Sequence, residues 1–172
     1  KLLKKIHSSE LLLNMLKRLG KSPLEPVKIL QLLTKDLDAD IHKLEPVQQS
    51  MRFLAENVDR IHYEDKAVCH CDVNHNNWLL DENNQLYLID WDGAVVADPA
   101  IDIGTLLYWY IPQKDWKAWL GLYGVQLDDA LLLRMKWYVI TQTLNSIQWH
   151  KNKSRWSEMN KWIQLLHKYL SL

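Results

Sequence analysis

Phenylalanine is nearly absent from this chain: Phe53 is the only one in 172 residues, while Trp occurs nine times. Aromatic bulk is therefore carried by a side chain that also brings an N–H donor, which suits the wall of a groove as well as a core. Net charge is missing too, with 21 basic residues balancing 21 acidic ones. A nucleic-acid binder of this size normally shows a basic excess, so no nucleic-acid partner is expected. No apolar run reaches the ~18 residues a bilayer span requires, and no signal peptide opens the chain, so no membrane association is expected. Cys69 and Cys71 are the only cysteines. They stand too close together for a disulfide framework, which points to a reducing, cytoplasmic setting. Glycine is scarce, five residues all at or after Gly20, and none of them forms a glycine-rich phosphate loop.

What is present is enough for a packed core. Hydrophobic residues make up 48% and charged residues 24%, and the length fits one domain spanning 1–172. The periodicity predicts helices over 1–60 and 98–171 that flank a central block at 67–93. Ser9 is the expected cap of a helix ended by Gly20, and Pro26 opens the next. A long helix is expected over 41–60, behind Asp38 or Asp40. Ala67 to Cys69 reads as a strand, and Trp78–Leu80 with Leu86–Ile89 as a hairpin across Asp81–Asn84. Asp98-Pro99 reads as a cap plus a proline at the first helical position. Further helices are expected at 116–123 and from 127 to about 150, then a last one capped by Ser154 or Ser157. The fold class is mainly α with a small β-hairpin element (α+β).

The informative stretch is Val68-Cys69-His70-Cys71-Asp72-Val73-Asn74-His75-Asn76-Asn77, which contains His-x-Asp-x-x-x-x-Asn. Three fixed residues recur by chance roughly once in 10⁴ to 10⁵ positions. The signal strengthens because Leu86-Tyr87-Leu88-Ile89-Asp90-Trp91-Asp92-Gly93 follows at hairpin distance, and Asp98-Pro99-Ala100-Ile101-Asp102 after that.

These motifs resemble the C-terminal lobe of the aminoglycoside phosphotransferase/choline kinase-like superfamily, which has a protein-kinase-like fold. The wording over Val68 to Pro112 is closest to the cell-cycle regulator kinase branch of Gram-positive bacteria (CcrZ/YtmP-like), associated with phosphorylation of ribose-type sugars. The resemblance implies an ATP- and Mg²⁺-dependent kinase acting on a small-molecule hydroxyl, either a ribose- or deoxyribose-like sugar or a choline- or ethanolamine-like alcohol. It implies that Asp72 is catalytic, orienting the acceptor hydroxyl, and that Asn77 and Asp90 bind the metal. It implies structural support of the loop by His70 and Asp102, and places Ile6-His7 where the family carries Leu-His. It also implies that the chain is a lobe of a longer protein whose N-terminal lobe, a further partner, supplies the phosphate-covering loop and its lysine. The chain by itself is then expected to be inactive. The resembling family usually has Gly where Cys71 stands, which puts an oxidisable thiol beside the site.

Several readings stay open at this level. Asp92 could reach a second metal or the substrate, or could be an exposed turn carboxylate. Trp109 and Tyr110, with Trp116 and Tyr123, could line an acceptor wall or belong to the core. Only seven residues separate Asp90 from Asp98, too few for the long activation segment of a protein kinase, which favours a small acceptor. A zinc site at Cys69, Cys71, His70 and His75 lacks the usual second distant pair of ligands. A different class of function is a regulatory, pseudokinase-like binding module whose partners are cell-division or replication proteins.

Overall fold

The computed structural model describes residues 1–171. In chain order the described residues form helices α1 (Leu2–His7), α2 (Glu10–Arg18), α3 (Pro26–Asp36), α4 (Ala39–His42) and α5 (Glu45–Asn57). Strands β1 (Ala67–Cys69), β2 (Trp78–Leu80), β3 (Leu86–Leu88) and β4 (Val95–Ala97) follow. Helices α6 (Ala100–Tyr110), α7 (Trp116–Tyr123), α8 (Asp129–Asn152) and α9 (Trp156–Ser171) complete the order. The chain is mostly helical with small antiparallel sheets, and it divides into two compact units.

The first unit comprises Lys1–Leu24 and Tyr63–Met135. Its two sheets have two strands each. The expected hairpin pairs Trp78 with Leu88 and Leu80 with Leu86. Asp81 shapes its turn, Oδ1 accepting from the N–H groups of Asn83 and Gln85. The second sheet joins β1 to β4, Ala67 opposite Ala97 and Cys69 opposite Val95. Strand β4 was not expected from the sequence. Helix α2 packs on both strands of this sheet through buried Leu16, Val68 and Val96. Leu3 and Ile6 of α1 form a second core with Val73 of the loop and Leu88 of the hairpin. The helix bearing His7 is thereby fixed against the loop.

The second unit comprises Glu25–His62 and Lys136–Leu172, of which Leu172 lies outside the described residues. Helices α5 and α9 pack together, and the Trp137 indole donates to the Leu54 carbonyl at 3.0 Å. Gln148 clasps Asp38 twice, accepting from its N–H at 2.8 Å and donating to Oδ2 at 2.9 Å. Lys151 adds ion pairs to Asp38 and Asp40.

Two expectations fail for local reasons. The helix expected over 41–60 is interrupted at Lys43 and Leu44, and α5 restarts with proline in its first turn. In a continuous helix the Pro46 ring would clash with the His42 carbonyl, which would also lose its donor. Neither Ser154 nor Ser157 caps α9. Ser154 ends α8 instead, in a left-handed conformation (φ 54°). Its N–H reaches the Lys151 carbonyl at 2.8 Å and the Arg155 N–H reaches His150 at 2.9 Å, the paired bonds of a Schellman ending. Ser157 falls inside α9.

Helix α6 starts one residue later than expected, at Ala100 with Pro99 as its cap, and Asp98 Oδ1, just before, accepts from the Ala100 N–H at 2.9 Å. Within α6, Gly104 faces the backbone of α8. A Cβ there would lie 2.8 Å from the Met135 carbonyl oxygen and 3.0 Å from its Cα. Backbone cannot give way as a side-chain tip can. Gly104→Ala is therefore expected to lower the unfolding free energy by about 1–2 kcal/mol, alanine's better helix propensity offsetting part of the overpacking. A urea midpoint that stays level or rises would show that the two helices separate freely.

Candidate functional site

The loop after β1 is held from beneath by one buried carboxylate. Asp102, fully buried on α6, accepts from the His70 N–H at 2.7 Å and the Cys71 N–H at 2.8 Å. Its Oδ2 also lies 3.0 Å from His7 Nε2, and His7 Nδ1 lies 2.6 Å from the Tyr123 hydroxyl. Two N–H groups must aim at one side chain, and Cys71 meets that demand with a left-handed backbone (φ 65°). That conformation favours glycine, the residue usual at this place in the resembling family.

The His70 ring then connects the loop to the hairpin. Its Nε2 lies 2.8 Å from the Ile89 carbonyl, an acceptor only, so Nε2 carries the hydrogen. Its Nδ1 accepts from the Asp72 N–H at 3.2 Å. The backbone thus selects one neutral tautomer. Trp91 closes over the ring edge-on, centroids 4.7 Å apart, while its indole donates to the Leu88 carbonyl at 2.8 Å.

Above this support stand the polar groups. Asn77 donates both hydrogens of its amide to Asp72, one to the carbonyl at 2.8 Å and one to Oδ2 at 2.9 Å. This fixes which way the amide is turned, and its oxygen is the atom left over. Asp72 Oδ1 accepts from Asn74 Nδ2 at 2.6 Å, so both carboxylate oxygens are oriented by amides. Asp90 follows directly on Ile89, whose N–H bonds to the Asn77 carbonyl at 2.9 Å. It is exposed and has a left-handed backbone (φ 64°), which aspartate tolerates better than most residues. His70, Asp72, Asn77 and Asp90 are thereby tied into one loop-and-hairpin edge.

The remaining expected residues separate. Asp92 is exposed in the turn before β4. Tyr110 reaches the loop, its hydroxyl accepting from the His75 N–H at 3.1 Å. Trp109, half-buried, lies edge-on beside Tyr110. Trp116 is buried, its indole donating to the Ile111 carbonyl at 2.9 Å, and Tyr123 is engaged with His7. Tyr110 is thus bonded to the loop. Next to it a cavity of about 360 Å³ is lined by His75, Trp78, Leu106, Tyr110 and Trp119, among others.

Sequence reasoning missed two features. One is the link made by His7, which bridges Tyr123 and Asp102 from the end of α1. The other is the exposed apolar row Leu79, Tyr87 and Ile89, on the hairpin edge that carries Asn77 and Asp90. The available signal was that both strands are apolar at every position, more than one buried face of a short hairpin can use.

The zinc grouping of Cys69, Cys71, His70 and His75 does not assemble. Among the described residues the ligand-type atoms close enough to share an ion belong to His7, Cys69 and Asp102. Burial, then the negative charge of Asp102, pushes the Cys69 thiol well above its ordinary range, and Asp102 is committed to backbone donors. Burial likewise pushes the Cys71 thiol well up, with Asp102 and Asp72 adding to it. A raised thiol leaves less of the thiolate, the more reactive form, at this position.

The chain belongs to the phosphotransferase enzyme family, whose profile matches residues 1–138. Its fold is similar to that of choline kinase LicA from Streptococcus pneumoniae, with a TM-score of 0.72 and 17% identity over 99% of this chain and 60% of that one. It is also similar to a choline/ethanolamine kinase family protein from Mesorhizobium loti, with a TM-score of 0.69 and 18% identity over 99% and 59% of the two chains. The GDP and kanamycin complex of APH(2″)-IIia gives a TM-score of 0.69 and 15% identity over 98% and 59%. The chain spans about 60% of the length of these structures. No described helix is long and apolar enough to cross a membrane.

Replacing Asp102 by Asn would turn an amide nitrogen toward one of the two backbone N–H groups. Asp102→Asn is expected to cost about 2–3 kcal/mol, seen as a lower urea midpoint, with faster amide exchange at His70 and Cys71. Unchanged exchange at those two amides would show that the loop holds its shape without the carboxylate.

Proposed function

We propose that this chain carries the acceptor-side and metal-binding groups of an ATP- and Mg²⁺-dependent phosphotransferase acting on the hydroxyl of a small molecule. The observation that carries the reading is the Asp72–Asn77 pairing. Together with Asn74 it orients the Asp72 carboxylate through two amides, and it leaves the amide oxygen of the buried Asn77 uncommitted to Asp72. Phosphoryl transfer needs little covalent help from a protein; it needs positioning and charge neutralisation. Each Asp72 oxygen keeps a further lone pair beyond the bond it accepts. The carboxylate can therefore take a hydrogen bond from an acceptor hydroxyl, align it, and accept its proton as the new P–O bond forms. Asn77 Oδ1 and the exposed Asp90 carboxylate are neutral and anionic hard oxygens that suit magnesium, which when bound neutralises phosphate charge. His70 and Asp102 hold this edge in register, and the row Leu79, Tyr87 and Ile89 offers an apolar floor for a nucleotide base.

A small acceptor is supported by the segment between Asp90 and Asp98. The Trp91–Gly93 turn and β4 occupy it entirely, leaving no room for a peptide-binding activation segment. The acceptor class we propose is a ribose- or deoxyribose-like sugar or a choline- or ethanolamine-like alcohol. The aromatic-lined cavity at Tyr110 suits the methylated end of a choline-like cation. The resemblance to the cell-cycle regulator branch favours the sugar. We further propose cytoplasmic location, and an N-terminal lobe as the partner that covers the phosphates.

The test is ADP release by the protein carrying this chain, with Mg-ATP and ribose, deoxyribose, choline, ethanolamine or an aminoglycoside in turn. Turnover with one acceptor, reduced on the order of 10² to 10⁴-fold by Asp72→Asn, is the expected result. Folded protein without acceptor-dependent turnover would contradict the reading and favour the regulatory binding module.

A further inference from the structure

Positive charge gathers in the second unit, at the corner where α8 gives way to α9 and along α9 itself. Between Trp149 and Ser171 stand five cations, Lys151, Lys153, Arg155, Lys161 and Lys168, against one acid, Glu158. Elsewhere 16 basic residues face 20 acidic ones, so the neutral total conceals a separation of charge. Lys151 is taken up by Asp38 and Asp40. The other four cations are exposed.

The same corner exposes tryptophan. Trp149, near the end of α8, is 48% exposed, and Trp156, the first residue of α9, is 54% exposed. Trp149 is held in place: its ring meets His150 edge-on at 4.8 Å, and His150 stacks on Trp162 at 6.4 Å. The Arg155 guanidinium lies 5.0 Å from the centroid of the Trp149 ring, within cation–π range. Charge and aromatic surface therefore form one patch. Along α9 the exposed Trp156, Asn160, Lys161, Gln164 and Lys168 share one side of the helix by their spacing, and Glu158 falls outside it.

A solvated helix face ordinarily interleaves carboxylates with its lysines and has no use for tryptophan. Tryptophan beside lysine suits the boundary between water and lipid. The indole has an apolar body with a polar N–H, and ammonium groups answer anionic headgroups. A single carboxylate of a peptide is better read by the two-pronged guanidinium, whereas lysine is a point charge that fits a diffuse negative surface. Three of the four exposed cations here are lysine, and the one arginine is engaged with Trp149.

We propose that this patch docks on an anionic membrane surface, with Trp149 and Trp156 at headgroup level and Lys153, Arg155, Lys161 and Lys168 toward the lipid phosphates. Contact is at the surface, since no described helix is long and apolar enough to cross a bilayer. The inference is independent of the phosphotransferase reading.

The test is co-sedimentation of the protein carrying this chain with phosphatidylcholine vesicles, with and without phosphatidylglycerol. Binding is expected where phosphatidylglycerol is present, weakening as salt rises. Each cation near such a surface is worth about fivefold in partitioning, so Lys161→Glu with Lys168→Glu should lower binding by at least ~25-fold. The same reversal at Lys114 and Lys117, exposed residues outside the patch, should lower it far less. Trp156→Ser, alone or with Trp149→Ser, should weaken binding while leaving its salt dependence. All these side chains are exposed, so the variants should melt as the parent does. No binding to phosphatidylglycerol vesicles would overturn the proposal. Equal loss in the two lysine pairs, or binding undiminished without the tryptophans, would overturn it too. Binding to polyglutamate but not to vesicles would replace the lipid by an acidic protein segment.

Discussion

The edge that carries Asp72, Asn77 and Asp90 depends on where one buried carboxylate sends its oxygens. Asp102 is out of contact with water, and an unpaired charge in that position would be severely destabilising. It is paired instead with two consecutive backbone N–H groups and with His7. Consecutive N–H groups converge on one side chain only if the backbone between them curls, and Cys71 adopts the left-handed conformation that permits it. From that curl the Asp72 side chain emerges into solvent, and the His70 ring turns inward to bond Ile89. The position of Asp90 follows, because Ile89 is held both by that ring and by the Asn77 carbonyl.

The bias toward tryptophan belongs to the same account. The strands here are only three residues long, so ladder bonds are few and many carbonyls near the site lack strand partners. Indole N–H groups serve several of them. Trp78 donates to Val73, Trp91 to Leu88 and Trp116 to Ile111. A phenylalanine in any of these places would pack as well but leave the carbonyl without that donor. The scarcity of Phe is thus tied to how short elements are held in register.

Local patterns made much of this legible in the sequence. The hairpin could be read because Trp78–Leu80 and Leu86–Ile89 flank a turn rich in Asp and Asn. The start of α6 could be read to within one residue, because Asp98 and Pro99 both favour a helix beginning there. The order His70, Asp72, Asn77, Asp90 could be read because the spacing is specific. Non-local features were hidden. Strand β4 is three residues of Val-Val-Ala that become a strand only because β1, far back in the chain, offers an edge. His7 and Asp102 are 95 positions apart, and nothing in either neighbourhood announces the other. Pro46 was visible, yet apolar spacing through it suggested one helix where its ring requires two. The left-handed backbone at Asp90 had no sequence signal beyond aspartate's tolerance for it.

The central claim is that Asn77 and Asp90 present oxygen ligands to one cation at this edge. Replacing Mg²⁺ by Mn²⁺ in the presence of ATP, and following paramagnetic broadening in the amide spectrum of the protein, tests it most directly. The account predicts selective loss of the Asn77 side-chain amide and of backbone signals at Asn77, Ile89 and Asp90, with Asp81, Glu82 and Asp128 spared. Broadening centred on those exposed acids, or equal broadening in Asp90→Asn, would contradict it.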